Sequence, residues 1–75
     1  MRNWLKQLRE SSGMTQLDVS EALKISRTYY LRIENGQRKK SIDLSTLTEL
    51  SKIFRVPIDL LIEFETTYKE GLKNK

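Results

Sequence analysis

At 75 residues the chain has room for one small domain. It holds no cysteine and no histidine, which excludes disulfides, thiolate metal sites, the usual general base and the commonest zinc ligand. The net charge is +4 and unevenly spread: residues 24–40 carry Lys24, Arg27, Arg32, Arg38, Lys39 and Lys40 against Glu34 alone, between a neutral stretch and an acidic one.

Such a window fits the footprint of a polyanion, although a solvated charged surface has the same composition. No carboxylates are paired for acid–base work, which argues against an enzyme. Nothing calls for a metal, a cofactor or a small-molecule ligand. No run approaches the ~20 apolar residues that span a bilayer, and MRNWLKQLRESSG is too polar for a secretory signal. The expected location is the cytoplasm, with no membrane partner.

The signals along the chain are helical, with a single proline and no strand-type alternation. Helix 1 is expected from about Asn3, as N-cap, to Ser12, with Leu5 and Leu8 on one face and Trp4 beside Leu8. Thr15 opens helix 2, with Asp18 three residues on as its acidic partner. Val19, Leu23 and Ala22 form the apolar side of that helix, and Lys24-Ile25 is the connector. Ser26 caps helix 3, which ends at Asn35-Gly36, a pair that readily turns left-handed. A basic loop follows to Ile42. Asp43 then caps helix 4, about residues 44–54, with Leu44, Leu47, Leu50, Ile53 and Phe54 at helical spacing. Pro57 suits the first turn of helix 5, followed by Ile58, Leu60, Leu61 and Ile62. Residues 1–64 are expected to form the domain, and residues 65–75 a polar C-terminal tail or an extension of helix 5.

A connector as short as Lys24-Ile25 forces helices 2 and 3 to cross steeply, as in a helix-turn-helix. TQLDVSEALKISRTYYLRIENG (15–36), followed by VPIDLL (56–61), resembles the Cro/lambda-repressor helix-turn-helix proteins, the XRE family, over about residues 4–62. Four elements carry the likeness: Leu8-Arg9, Thr15-Gln16, Ile25-Ser26 and Ile33-Glu34-Asn35-Gly36. Each is weak alone, but the four in order at family spacing are specific. The resemblance implies an all-α, compact five-helix lambda-repressor-like DNA-binding domain, with double-stranded DNA as partner and a homodimer as the usual assembly. It also implies that Gln16 contacts backbone phosphate and supports a side chain of helix 3. Arg9 and Glu34 match positions where the family joins helix 1 to the end of helix 3 by an ion pair. Three positions depart from the pattern. Lys24 stands where the family prefers glycine, at a cost of ~1 kcal/mol if it takes a positive φ. Leu31 is apolar where a polar residue is usual, and Ser20 replaces a small alanine.

At about 100° per residue, Tyr29, Tyr30 and Ile33 share one side of helix 3, and Arg27, Thr28, Leu31, Arg32 and Asn35 the opposite side. The first side belongs inside, with Tyr29 at its margin and its hydroxyl within reach of a phosphate. The second suits the major groove, which admits one helix. Arg27 in the first turn can donate two hydrogen bonds to guanine, worth about 1–3 kcal/mol of discrimination. Thr28 can bond a base edge, exposed Leu31 can touch a thymine methyl, and Arg32 can reach a base or a phosphate. Thr15, Gln16 and Ser26 at helix starts, with Arg38, Lys39 and Lys40 on the loop, are expected at the sugar-phosphate backbone. Such contacts position without reading sequence, and each phosphate neutralised adds about 0.9 to the log–log salt slope.

One such helix reads only a few base pairs, so a two-fold dimer on a palindrome, with half-sites about 34 Å apart, is the economical solution. Leu61, Phe64, Tyr68 and Leu72 recur at helical steps. If helix 5 continues past Glu65 they form a stripe that can pair subunits; otherwise Leu61 and Phe64 complete the monomer core. The expected function is sequence-specific transcription regulation, as a repressor of bacterial or phage type. The competing reading is a protein-interaction module on the same fold, antitoxin-like, with Leu31 and the tail docking a partner. RNA binding is disfavoured, because readers of single-stranded RNA turn their aromatics outward.

Overall fold

The computed structural model describes residues 1–37 and 42–73, with side chains as far as residue 71. Among the described residues five helices follow one another: α1 (Asn3–Ser11), α2 (Gln16–Leu23), α3 (Arg27–Asn35), α4 (Leu44–Phe54) and α5 (Ile58–Lys73). Among the described residues there is no strand, so the expected all-α class is the one the chain adopts. Contacts divide it into two compact units, Met1–Lys39 and Lys40–Lys75.

In the first unit, α1 begins at Asn3, so its cap lies one residue earlier than expected. Arg2 occupies the N-cap position and makes no side-chain cap. Its carbonyl accepts from Leu5 and Lys6 N–H at 3.1 and 3.2 Å, and its own N–H donates to the Glu34 carbonyl at 2.8 Å. That long-range bond sets where the helix starts, and Asn3 becomes its first, exposed residue. α2 opens with a complete capping box. Thr15 Oγ1 accepts from Asp18 N–H at 3.0 Å, and Asp18 Oδ2 accepts from Thr15 N–H at 2.8 Å. These bonds hold the Asp18 carboxyl below the usual carboxylate range.

Lys24 ends α2 at φ 60° and ψ 40°. The left-handed turn is closed by N–H bonds from Lys24 to the Glu21 carbonyl and from Ile25 to the Ser20 carbonyl. Ser26 then caps α3, its hydroxyl accepting from Tyr29 N–H at 3.0 Å. Gly36, at φ 68°, closes α3 and lets Gln37 N–H reach the Arg32 carbonyl at 3.2 Å. Both α1 and α2 contact α3. Leu5, Val19 and Tyr30 are fully buried. Ser20 is buried too, its hydroxyl donating to the Leu17 carbonyl at 2.8 Å, which is how a serine is accommodated where alanine was expected. Ala22, expected on the apolar side of α2, is exposed, and Leu23 is half-buried. The short helix buries one narrow stripe, and Val19 and Ser20 occupy it.

In the second unit, Asp43 precedes α4 at the cap position, but its carboxylate accepts from the Thr46 hydroxyl rather than from a backbone N–H. Leu47, Leu50 and Phe54 are buried and Ile53 half-buried, whereas Leu44 is 64% exposed. Leu44 opens the helix, where the apolar stripe has not yet reached the interior. Arg55 ends α4 in the left-handed region at φ 56°. The Ser51 hydroxyl donates to the Val56 carbonyl at 2.7 Å across the turn. Pro57 directly precedes α5, which packs on α4. α5 runs 16 residues to Lys73, carrying residues 65–73 as helix. Leu61 is fully enclosed, and the buried Glu65 carboxylate accepts from Ile42 N–H at 3.0 Å. Among the described residues no helix is long and apolar enough to cross a membrane.

Candidate nucleic-acid interface

The interface candidate is built on a buried ion pair within the first unit. Arg9, from α1, donates through Nε to Glu34 Oε2 at 2.9 Å and through Nη2 to Oε1 at 3.1 Å. Its third nitrogen, Nη1, donates to the Met14 carbonyl at 3.0 Å. The fork geometry is the one guanidinium and carboxylate prefer. The side chains are 11% and 0% exposed, so most of the attraction acts away from water. Burial pushes the Glu34 carboxyl up, but the hydrogen bonds from Arg9 and the Gln16 amide, with the Tyr30 hydroxyl close by, outweigh it and hold the group below its ordinary value. Arg9 is raised, chiefly by its bond to Glu34. Burial likewise pushes the Tyr30 phenol far up, with the Glu34 carboxylate adding to it. The Tyr30 hydroxyl is sealed from solvent close to Glu34, short of a hydrogen bond of good geometry.

This scaffold orients α3. With Tyr30 and Glu34 buried, the opposite side carries Arg27, Thr28, Arg32 and Asn35, all exposed. Leu31 departs from its expected full exposure and is half-buried, as is Ile33 on the inner side. Tyr29, expected at the margin of the inner side, is 46% exposed, whereas Tyr30 is fully buried. Ser26, at the helix start, is exposed, with its oxygen already accepting the Tyr29 N–H.

The starts of α2 and α3 meet at an open depression lined by Arg9, Met14, Thr15, Gln16, Leu17 and Arg27. It brings together three of the sequence-predicted contact residues, Thr15, Gln16 and Arg27. Gln16 also reaches inward, its Nε2 donating to Glu34 Oε1 at 3.4 Å. Arg38, Lys39 and Lys40 lie outside the described residues, as does the Leu72 side chain. Of the other stripe residues on α5, Phe64 and Tyr68 are half-buried. Leu61 is removed from the surface altogether, because the monomer encloses it.

Sequence reasoning missed Arg2. This residue is almost wholly buried, and its Nη1 donates to the Ile33 carbonyl at 2.6 Å. A cation at the C-terminal end of α3 adds a second donor to the Ile33 carbonyl, which Gly36 N–H also reaches at 3.3 Å, and complements the helix dipole. No local pattern points to it, since its partners are more than thirty positions away along the chain. Glu65 was readable in principle: it lies four residues after Leu61, so it sits on the buried stripe of α5.

Comparison with known proteins agrees with this geometry. The helix-turn-helix family matches residues 5–61, most of the chain. The chain belongs to the helix-turn-helix family. Over 45 residues it is 51% identical to the "Uncharacterized HTH-type transcriptional regulator YqaF" of Bacillus subtilis (strain 168), an overlap covering 60% of this chain and 59% of that protein. The match therefore spans less than two thirds of that relative's length. No solved structure matches the chain significantly. The α2–turn–α3 element with its left-handed Lys24 is the helix-turn-helix itself, and the Arg9–Glu34 pair lies within the matched region.

Proposed function

We propose that this chain is a sequence-specific regulator of transcription that binds double-stranded DNA, acting as a repressor on a palindromic operator. In this reading α3 enters the major groove. Arg27, Thr28, Leu31 and Arg32 read base edges, while Thr15, Gln16, Ser26, Tyr29, Arg38, Lys39 and Lys40 hold the sugar-phosphate backbone. The observation that carries the reading is the two-sidedness of α3: Arg27, Thr28 and Arg32 exposed on one side, Tyr30 and Glu34 buried on the other. Helix-turn-helix membership and the name of the Bacillus relative support it. The half-buried Leu31 retains enough surface to touch a thymine methyl. A homodimer supplies the second half-site, about one helical turn away. Ile62, Phe64 and Tyr68 on α5 offer it partly exposed apolar surface.

The test has two steps. Selection from random duplex DNA yields the preferred site, which this reading expects to be palindromic. Arg27→Ala and Arg32→Ala are then titrated against it, with circular dichroism to verify the fold. Each variant loses about 10- to 100-fold in affinity if its guanidinium reads a base. Wild-type affinity in a folded double variant removes the proposal. The second reading, a partner-docking module, then gains ground, since Leu17 and Tyr29 present exposed apolar surface on α2 and α3.

A further inference from the structure

Glu34 Oε1 has two donors. It accepts from Arg9 Nη2 at 3.1 Å and from Gln16 Nε2 at 3.4 Å. Glu34 has no exposed surface, so water does not readily replace Gln16 as its partner. A buried ion pair is by itself a weak contributor to stability, and apolar residues of similar volume often do as well. What an apolar pair lacks is an acceptor for an amide. Gln16 is the first residue of α2, is half-buried, and shares the open depression with Thr15 and Arg27. A glutamine side chain at a helix start otherwise samples many rotamers, and binding must freeze them.

We propose that Glu34 is a positioning residue for DNA binding: it grips the Gln16 amide by its nitrogen end, leaving the carbonyl oxygen and the second N–H at the depression beside Arg27 before a duplex arrives. The ion pair thereby links the α1–α3 scaffold to the contact surface. Because the amide's inner end is committed, Gln16 meets DNA in one orientation rather than two. Ordering the side chain in advance removes part of the entropy loss on binding. The inference rests on the reading that the starts of α2 and α3 meet DNA.

Two measurements test it. In the free protein, NMR of the Gln16 side-chain amide shows a single ordered pair of N–H resonances in the wild type and an averaged pair in R9M/E34L. That variant replaces both charges together and so leaves neither one buried alone. On the selected duplex, Q16A weakens binding about tenfold, the scale of a hydrogen bond to a charged group. R9M/E34L, folded by circular dichroism, loses most of the same factor, and adding Q16A to it costs little more. If R9M/E34L does not fold, E34Q serves, since an oxygen facing Arg9 Nε puts its NH2 at the place of Oε1, the acceptor of Gln16. Equal losses from Q16A in both backgrounds, an equally ordered amide without Glu34, or no loss from Q16A where R27A does weaken binding would each overturn the positioning role. If R27A and R32A leave binding unchanged, it is the DNA reading that fails, and the role of Gln16 with it.

Discussion

Lys24 and Arg55 both adopt left-handed backbone, at φ 60° and 56°, a region where a side chain costs roughly 1–2 kcal/mol. Each closes a helix by a turn that glycine would make without strain. Glycine also gains entropy in the unfolded chain, which returns about 0.4–1 kcal/mol of the advantage. Lys24→Gly and Arg55→Gly are each expected to stabilise the fold by about 0.5–1 kcal/mol, read as a higher urea midpoint with an unchanged slope. A lower midpoint would mean that these long side chains make contacts worth more than the strain. The two positions differ in legibility. The strain at Lys24 could be anticipated because the resemblance places glycine there, whereas Arg55 carried no comparable signal.

At the scale of elements, helix starts were legible where a side chain makes the cap and misread where a distant backbone does. The Thr15–Asp18 box and the Ser26 cap are local chemistry, written within four residues. Ser26→Ala leaves the Tyr29 N–H without its acceptor and is expected to lower stability by about 1 kcal/mol in urea unfolding. Ser26→Gly should cost only a few tenths of that unit, about 0.3 kcal/mol, because glycine also tolerates the cap position; equal losses for both would point to a packing role for the hydroxyl. The start of α1 is different, because Arg2 is held by Glu34, far along the chain. Periodicity placed Leu47, Leu50 and Phe54 correctly but also enlisted Leu44 and Ala22, which lie at the edges of their stripes and stay exposed. A wheel gives direction around a helix, not how far along it the neighbour extends.

For the whole molecule, Asp18 and Glu34 share a consequence for acid stability, since both carboxyls are held low in the fold. Between the lowered folded value and the ordinary one, near 4 for both side chains, the unfolded chain binds more protons than the folded one. Their contribution is therefore complete above the ordinary value and is lost as pH falls through the lowered one. The urea midpoint is expected to hold steady from pH 7 to about 5 and to fall below about pH 4. The fall should be shallower in E34Q, whose residue 34 no longer titrates. A wild-type midpoint unchanged between pH 5 and 3 would show that these bonds contribute nothing net.

Helix count, the Thr15 and Ser26 caps, the left-handed turn at Gly36 and the two-sidedness of α3 were determined by the sequence alone, because each depends on residues within one or two turns of one another. Only the tertiary structure decided that Arg2 closes the end of α3, that Leu61 is enclosed rather than available to a partner, and that Gln16 is tied to the Arg9–Glu34 pair. These depend on groups brought close by folding, and a linear pattern carries no distance between residues far apart along it.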